Sequence, residues 1–188
     1  MLATPVVGRD TGAMPVAPRP DPVHVVVGGL PREELLAALH AAGVRLNAHA
    51  RTLLADIDVA AAAERRLTLV ETSVAALGLT DGASLSQVFA AARQAGLDRC
   101  PPATAPYLRL AWTGQVTSAD LVLSRGRAPD GAVTVASPTL SDDDHYPKGF
   151  YLRVVDAEPW LRGYRCDDEH VWSPADRFVF RQGEPHPS

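Results

Sequence analysis

The spacing of apolar residues changes along this chain and separates a helix-containing part from a β-rich part. Before residue 97, apolar positions recur every three or four residues at 31–42 and 84–95, which predicts amphipathic helices. Strand-like runs at 23–27 and 67–75 accompany these helices. After the proline-containing connection at 97–106 the pattern is that of strands, at 107–112, 120–124, 131–136, 150–165 and 177–181.

Capping residues support the predicted helix starts. Ser84 is followed three residues later by Gln87, which is the pattern of a capping box. Asn47 is placed to cap a further short helix over 48–55. Helices that come first and strands that follow indicate the α+β class, with N-terminal strand/helix units packed on a mainly antiparallel C-terminal sheet.

The domain organisation follows from the same pattern. Five prolines fall within residues 1–22, which predicts a flexible Pro-rich arm. Residues 23–181 are predicted to form a single α+β domain, in which 23–106 contains the helices and 107–181 is β-rich. Residues 182–188 are predicted to be a tail.

The region 150–165 predicts a β-hairpin. Two β-prone runs lie on either side of the turn-forming segment 156–159. With that segment as a four-residue loop, Arg153 faces Arg162 and Tyr151 faces Tyr164. Alternation then places Trp160 on the same face as these four residues, whereas a three-residue loop would move it to the core face. The opposite face is apolar, with Phe150, Leu152, Val154, Leu161 and Gly163 directed to a core.

Two acidic runs that each end in a histidine flank this hairpin. They are residues 142–145 and 167–170. Because the segments that enter and leave a hairpin lie at its open end, we expect the runs to be neighbours there. Clustered carboxylates raise one another's pKa and histidine titrates near neutrality, so such a site could transfer protons or bind a divalent cation. Acidic loop runs are also common as solvated surface, so that interpretation stays open.

Composition limits the classes of partner. The net charge is -4, which predicts neither nucleic-acid binding nor attraction to an anionic membrane. No apolar run is long enough to span a bilayer, and the first 22 residues have no secretory pattern. Two cysteines without metal-binding spacing indicate reduced thiols and a cytoplasmic location. The 17 arginines against one lysine, Lys148, are typical of a GC-rich bacterial genome.

Two functions fit these residues. The first is that of an acid/base or metal-assisted enzyme of hydrolase, lyase or isomerase type, with a small-molecule site for a polar or anionic substrate at the open end of the hairpin. Its expected catalytic residues are Asp143, Asp144, His145, Asp168 and His170. Its expected substrate-binding residues are Lys148, Tyr151, Arg153, Trp160, Arg162 and Tyr164.

The second function is a non-catalytic interaction or regulatory protein that uses a Tyr/Trp/Arg sheet face to bind a protein partner. A purely structural role for the same aromatic residues is the third interpretation. The sequence contains neither a G-x-G-x-x-G nor a P-loop pattern, so no nucleotide cofactor is expected. A divalent metal is the one cofactor that the acidic and histidine residues suggest, and the oligomeric state is not indicated.

Overall fold

The computed structural model of this chain describes residues 21–58, 63–117, 129 and 131–183. The predicted arm at 1–22, except for its last two residues, lies outside the described residues. The predicted strand at 120–124 lies outside them as well, and so does the predicted tail from residue 184 onward.

Eight strands and four α-helices are formed by the described residues. The strands are β1 (Val23–Val27), β2 (Arg45–Leu46), β3 (Arg65–Ser73), β4 (Leu97–Asp98), β5 (Val133–Val135), β6 (Gly149–Val155), β7 (Glu158–Tyr164) and β8 (Arg177–Gln182). The helices are α1 (Arg32–Ala41), α2 (Ala48–Asp56), α3 (Leu85–Gln94) and α4 (Thr104–Ala111), and a 3-10 turn covers Ala75–Leu77.

All eight strands belong to one sheet, in the order β1-β3-β8-β5-β6-β7-β2, with β4 paired to β8 beside this path. The pairs β5–β8 and β2–β7 are parallel, and the others are antiparallel. The α+β class is therefore confirmed, but the sheet is mixed. The finer expectation, of N-terminal strand/helix units packed on a mainly antiparallel C-terminal sheet, is not confirmed, because the sheet is mixed and includes β1, β2 and β3.

Helices pack on both faces of the sheet. On one face, apolar residues of β1, β3, β5, β6 and β7 pack against α1, α2 and α4 in the larger core, which includes Leu69, Leu152, Leu35, Leu53 and Leu108. On the opposite face, Phe178 and Phe180 of β8 pack against Val88 of α3 and against Trp172. Because side chains alternate along a strand, the residues between the core positions of β6 and β7 belong to the α3 face.

The segment predicted as a strand at 107–112 is the helix α4. The helix is buried on almost all sides, with Tyr107, Leu108 and Arg109 all buried, so the sequence lacks the polar stripe that marks an amphipathic helix. Pro106 lies in its first turn, where the missing N–H breaks no intrahelical bond. A continuous short apolar run fits either a buried helix or a buried strand. The spacing of apolar residues at 107–112 therefore could not distinguish the two.

Other elements confirm their predictions. Asn47 caps α2 by accepting a hydrogen bond from the N–H of Ala50. Ser84 and Gln87 form the capping box of α3, with both reciprocal bonds present. The strands β1, β3, β5 and β8 lie where their patterns placed them, within a few residues.

Candidate functional site

The predicted hairpin is present and consists of β6 and β7. Its loop has two residues, Asp156 and Ala157, with φ of 50° and 64°. Both φ values are positive, which is typical of the type I′ turn that connects tightly paired strands. The expected four-residue loop was wrong because Glu158 and Pro159 belong to β7 instead of the turn.

The shorter loop changes the partners in the hairpin but not its faces. Arg153 lies opposite Trp160, and Arg162 lies opposite Tyr151. The two arginines are therefore not directly opposed, which corrects the expected pairing. Because the loop is shorter by two residues, an even number, each side chain keeps its predicted face.

Trp160 is the centre of a group of arginines on the α3 face of the hairpin. The guanidinium carbon of Arg162 lies 4.0 Å from the centroid of the Trp160 ring, which is the geometry of a cation–π contact. Arg45 of β2 is the residue opposite Trp160 on its other side. Arg45 forms an exposed ion pair of 2.7 Å with Glu158, and this carboxylate raises the pKa of Arg45.

Arg162 differs from Arg45 in that no carboxylate of a described residue pairs with it. In the described part of the chain no ion pair involves Arg162, and its Nε, although buried, has no hydrogen-bond partner. Trp160, Arg162 and Tyr151 are all partly exposed. We call these three residues the aromatic–arginine surface.

Two other residues of the predicted site are turned into the protein. Arg153 is 2% exposed and lies within the protein. Tyr164 packs edge-to-face on Trp172, with ring centroids 5.6 Å apart, at the margin of the core under α3. Burial raises the pKa of Tyr164 well above its usual range, so its hydroxyl stays protonated at neutral pH.

The segments that flank the hairpin meet at its open end, as expected. The N–H of Lys148 donates to the carbonyl of Tyr164 at 2.8 Å, and Nη1 of Arg165 approaches the carbonyl oxygen of His145 at 3.5 Å. The first contact joins the two backbones, and the second joins the side chain of Arg165 to the backbone of the entering segment. They do not bring the acidic and histidine side chains together.

The two acidic runs are exposed at the surface. Asp143 accepts a hydrogen bond from the backbone N–H of His145, which closes a local turn. Asp144 and Asp168 are exposed, whereas His170 packs its ring edge-to-face against Trp172 at 5.1 Å between centroids. No hydrogen bond or ring contact between described residues joins His145 to His170.

A metal site is not formed by these residues. Across residues 21–58, 63–117, 129 and 131–183, no group of three or more His, Cys, Asp or Glu side chains could hold a metal ion. The expected acidic–histidine cluster is therefore unsupported. Charged carboxylates repel one another, and exposure to water allows each run to remain solvated.

Lys148 lies at the open end of the hairpin, and its side chain is largely buried. Its side chain is 10% exposed, and Nζ lies 3.5 Å from both the carbonyl oxygen of Asp143 and Oδ1 of Asp144. Burial raises the pKa of the nearby Cys166, and the positive charge of Lys148 opposes this rise. The ammonium therefore has two long contacts and a neutral thiol near it.

One feature beside the aromatic–arginine surface could not be read from the hairpin sequence. Asn47 bonds both backbone groups of Gly163: Nδ2 donates to its carbonyl, and Oδ1 accepts from its N–H, each at 2.9 Å. Their separation of 116 positions in the sequence hides this contact from local patterns. The glycine inside a strand was the available signal, since such a residue often marks a close backbone approach.

The helices in the described part of the chain are all too short or too polar to cross a membrane. Comparisons of the chain with protein-family models, with curated proteins and with solved structures found no match.

Proposed function

We propose that this protein is a non-catalytic binding protein that contacts an anionic partner protein through the aromatic–arginine surface. The observation that carries the proposal is the guanidinium of Arg162, which is stacked 4.0 Å from Trp160 without a carboxylate of the described residues beside it. Tyr, Trp and Arg are the residues that contribute most often to binding energy in protein interfaces.

The stacking prepares Arg162 for recognition of a carboxylate. A guanidinium held against an aromatic ring has already lost part of its rotamer freedom, so less entropy is lost when an anion binds. Nε is buried, so two parallel hydrogen bonds to a carboxylate would come from the two Nη groups. Tyr151, directly opposite Arg162, adds apolar contact area and a hydroxyl. A partner with an exposed acidic segment fits these groups.

Trp160 provides the test of this proposal. The chain has three tryptophans, of which Trp112 and Trp172 are buried, so a change in fluorescence on binding reports mainly on Trp160. We expect a glutamate-rich peptide to change the fluorescence of the wild type saturably and that of Arg162→Gln weakly or not at all. Arg51→Gln, at an exposed arginine of α2, is the matched control and should bind as the wild type does. Equal binding by wild type and Arg162→Gln would contradict the proposal.

The open end of the hairpin supports a second candidate, a site for a small anionic ligand. The observation that favours it is the ammonium of Lys148, whose two contacts with described residues are both 3.5 Å long. An ammonium has three donors, and water or an anion can satisfy those that the protein leaves weakly bonded. Asp144 and His145 precede Lys148 by four and three residues, and they would then supply the acid and base groups.

Thermal unfolding in inorganic phosphate tests this second site. Phosphate should raise the melting temperature of the wild type more than that of Lys148→Gln, because ligand binding to the folded state stabilises it. Arg93→Gln, at an exposed arginine of α3, removes one charge elsewhere and should respond as the wild type does. Equal shifts in all three proteins would remove the second candidate.

A further inference from the structure

The two ends of the sheet differ in how they prevent further strand pairing. At the β7–β2 end, β2 has two residues, Pro159 has no N–H to donate, and the side chain of Asn47 occupies both backbone groups of Gly163. Short edge strands, proline and covering groups are the usual means by which proteins block an edge. This end is closed to another strand.

The β1 end has none of these features. β1 pairs over all five of its residues with β3 on its inner side, and no strand of the described residues pairs with its outer side. Its sequence, Val-His-Val-Val-Val, contains no proline, glycine, lysine, arginine or carboxylate. Val26 is 44% exposed on the α3 face. An edge of this kind is a template for pairing with another strand.

Charges at the two ends of β1 indicate which strand pairs with its outer edge. Asp21 is exposed just before β1, at the end where Val23 lies. At the other end, Arg65 and Arg66 of β3 lie opposite Val27 and Val26. Both arginines are exposed, and no ion pair joins either of them to a described residue. The carboxylate of Glu64 also lies at this end, beside Gly29. Two arginines and one glutamate leave a net charge of +1 there, opposite in sign to the -1 of Asp21 at the start of the strand.

We propose that the outer edge of β1 pairs with β1 of a second copy of this chain, antiparallel, about a twofold axis near Val25. A strand that is acidic at one end and basic at the other is complementary to itself when it is reversed. Asp21 of each copy then lies at the end where the other copy carries Arg65 and Arg66, and the symmetry forms this contact twice.

The same arrangement joins the apolar surfaces of the two copies. Pairing about Val25 places Val23 opposite the second copy's Val27, and His24 opposite the second copy's Val26. Val23, Val25 and Val27 face the larger core, so the apolar layer continues from one copy to the other. No like charges are placed opposite each other within the strand pair.

The expected dimer is weak and depends on concentration. Stable interfaces bury about 1,200–2,000 Å² in total, and a pair of five-residue strands contributes a fraction of that area. We therefore expect monomer and dimer to exchange in the micromolar range, where sedimentation velocity of the full chain resolves both species.

Val26→Lys is the first test. A lysine on an edge strand opposes strand pairing, and the exposed position of Val26 allows the substitution within the monomer. Val171→Lys is the matched control, because Val171 is 59% exposed and lies outside the sheet. The wild type and Val171→Lys should dimerise as concentration rises, and Val26→Lys should stay monomeric with a cooperative melting transition. A wild type that is monomeric throughout, or a Val26→Lys variant that dimerises equally, overturns the proposal.

Charge reversal tests the antiparallel register and does not depend on the first variant. Asp21→Arg alone, or Arg65→Asp with Arg66→Asp, should raise the dissociation constant by about two- to tenfold, as expected for exposed charge pairs. The variant with all three substitutions restores the opposite charges and should recover dimerisation. If the triple variant associates no better than the partial ones, the twofold pairing about Val25 is wrong.

Discussion

The side chain of Asn47 bonds to the backbone of Gly163 as a neighbouring strand would. Oδ1 accepts from the N–H of Gly163 and Nδ2 donates to its carbonyl, while the same Oδ1 accepts from the N–H of Ala50 and caps α2. One residue therefore starts a helix and occupies the edge of β7 next to the short strand β2. This contact fixes α2 against the strand that carries Trp160.

Asn47→Ala should destabilise the protein by about 2–4 kcal/mol, because it removes a helix cap of about 1 kcal/mol and leaves two partly buried backbone groups without their partner. Chemical denaturation measures the change. Ser84→Ala is the comparison, since it removes the cap of α3 and should cost about 1 kcal/mol. Equal losses in the two variants would show that the bonds to Gly163 contribute nothing.

Gly163→Ala should destabilise the protein by about 1–3 kcal/mol or more, as overpacking does when backbone atoms must move. A Cβ on Gly163 would lie 2.6 Å from the carbonyl carbon of His49 and 2.8 Å from the backbone nitrogen of Ala50. Gly114→Ala is the control, because nothing lies within 4 Å of a Cβ there. Thermal or urea unfolding of both variants tests the tight approach of α2 to β7, and a neutral Gly163→Ala would contradict it.

Ala157→Gly should stabilise the protein, by about 0.5–1 kcal/mol. Ala157 has φ of 64°, a left-handed conformation that costs an L-residue about 1 kcal/mol and costs glycine almost nothing. The substitution would also place an Asp-Gly pair in the loop, which is a preferred pair for a type I′ turn. The same substitution at the exposed Ala90 in α3 should destabilise by about 1 kcal/mol. A melting temperature that falls in both variants would be evidence against the two-residue turn.

Cys100 should make stability fall at alkaline pH. Burial raises the pKa of its thiol from 9.0 to about 12. Because the folded state holds the proton more tightly than the unfolded state, this contribution is fully present below about pH 9 and is lost as pH rises toward 12. In Cys100→Ala the decline in unfolding free energy over that window should be smaller. An equal decline in both proteins would show that Cys100 does not contribute to it.

The faces of the hairpin could be predicted from sequence, but its turn could not. Alternation along β6 and β7 assigns Tyr151, Trp160 and Arg162 to one face whichever even-numbered loop is chosen. The loop length depends on whether Asp156 and Ala157 adopt positive φ, and alanine gives no signal for that conformation. Arg153 was expected to bind substrate, and its burial depends on residues distant in the chain.

The topology of the sheet also depends on distant contacts. The parallel pairings of β5 with β8 and of β2 with β7 join segments more than 40 residues apart, and local patterns carry no information on them. The open end of the hairpin shows the same limit. Hairpin geometry brings its two flanking segments together, but it does not decide whether side chains such as His145 and His170 converge or turn to solvent and to Trp172.

The most direct test of the proposed binding function is nuclear magnetic resonance of the three indole N–H groups during titration with the glutamate-rich peptide. Trp160 lies under Arg162, whereas Trp112 and Trp172 are buried and act as internal references. We predict a saturable shift of the Trp160 resonance, with the other two unchanged, and loss of that shift in Arg162→Gln. A Trp160 resonance that stays in place, or three resonances that move together, would contradict the proposed surface.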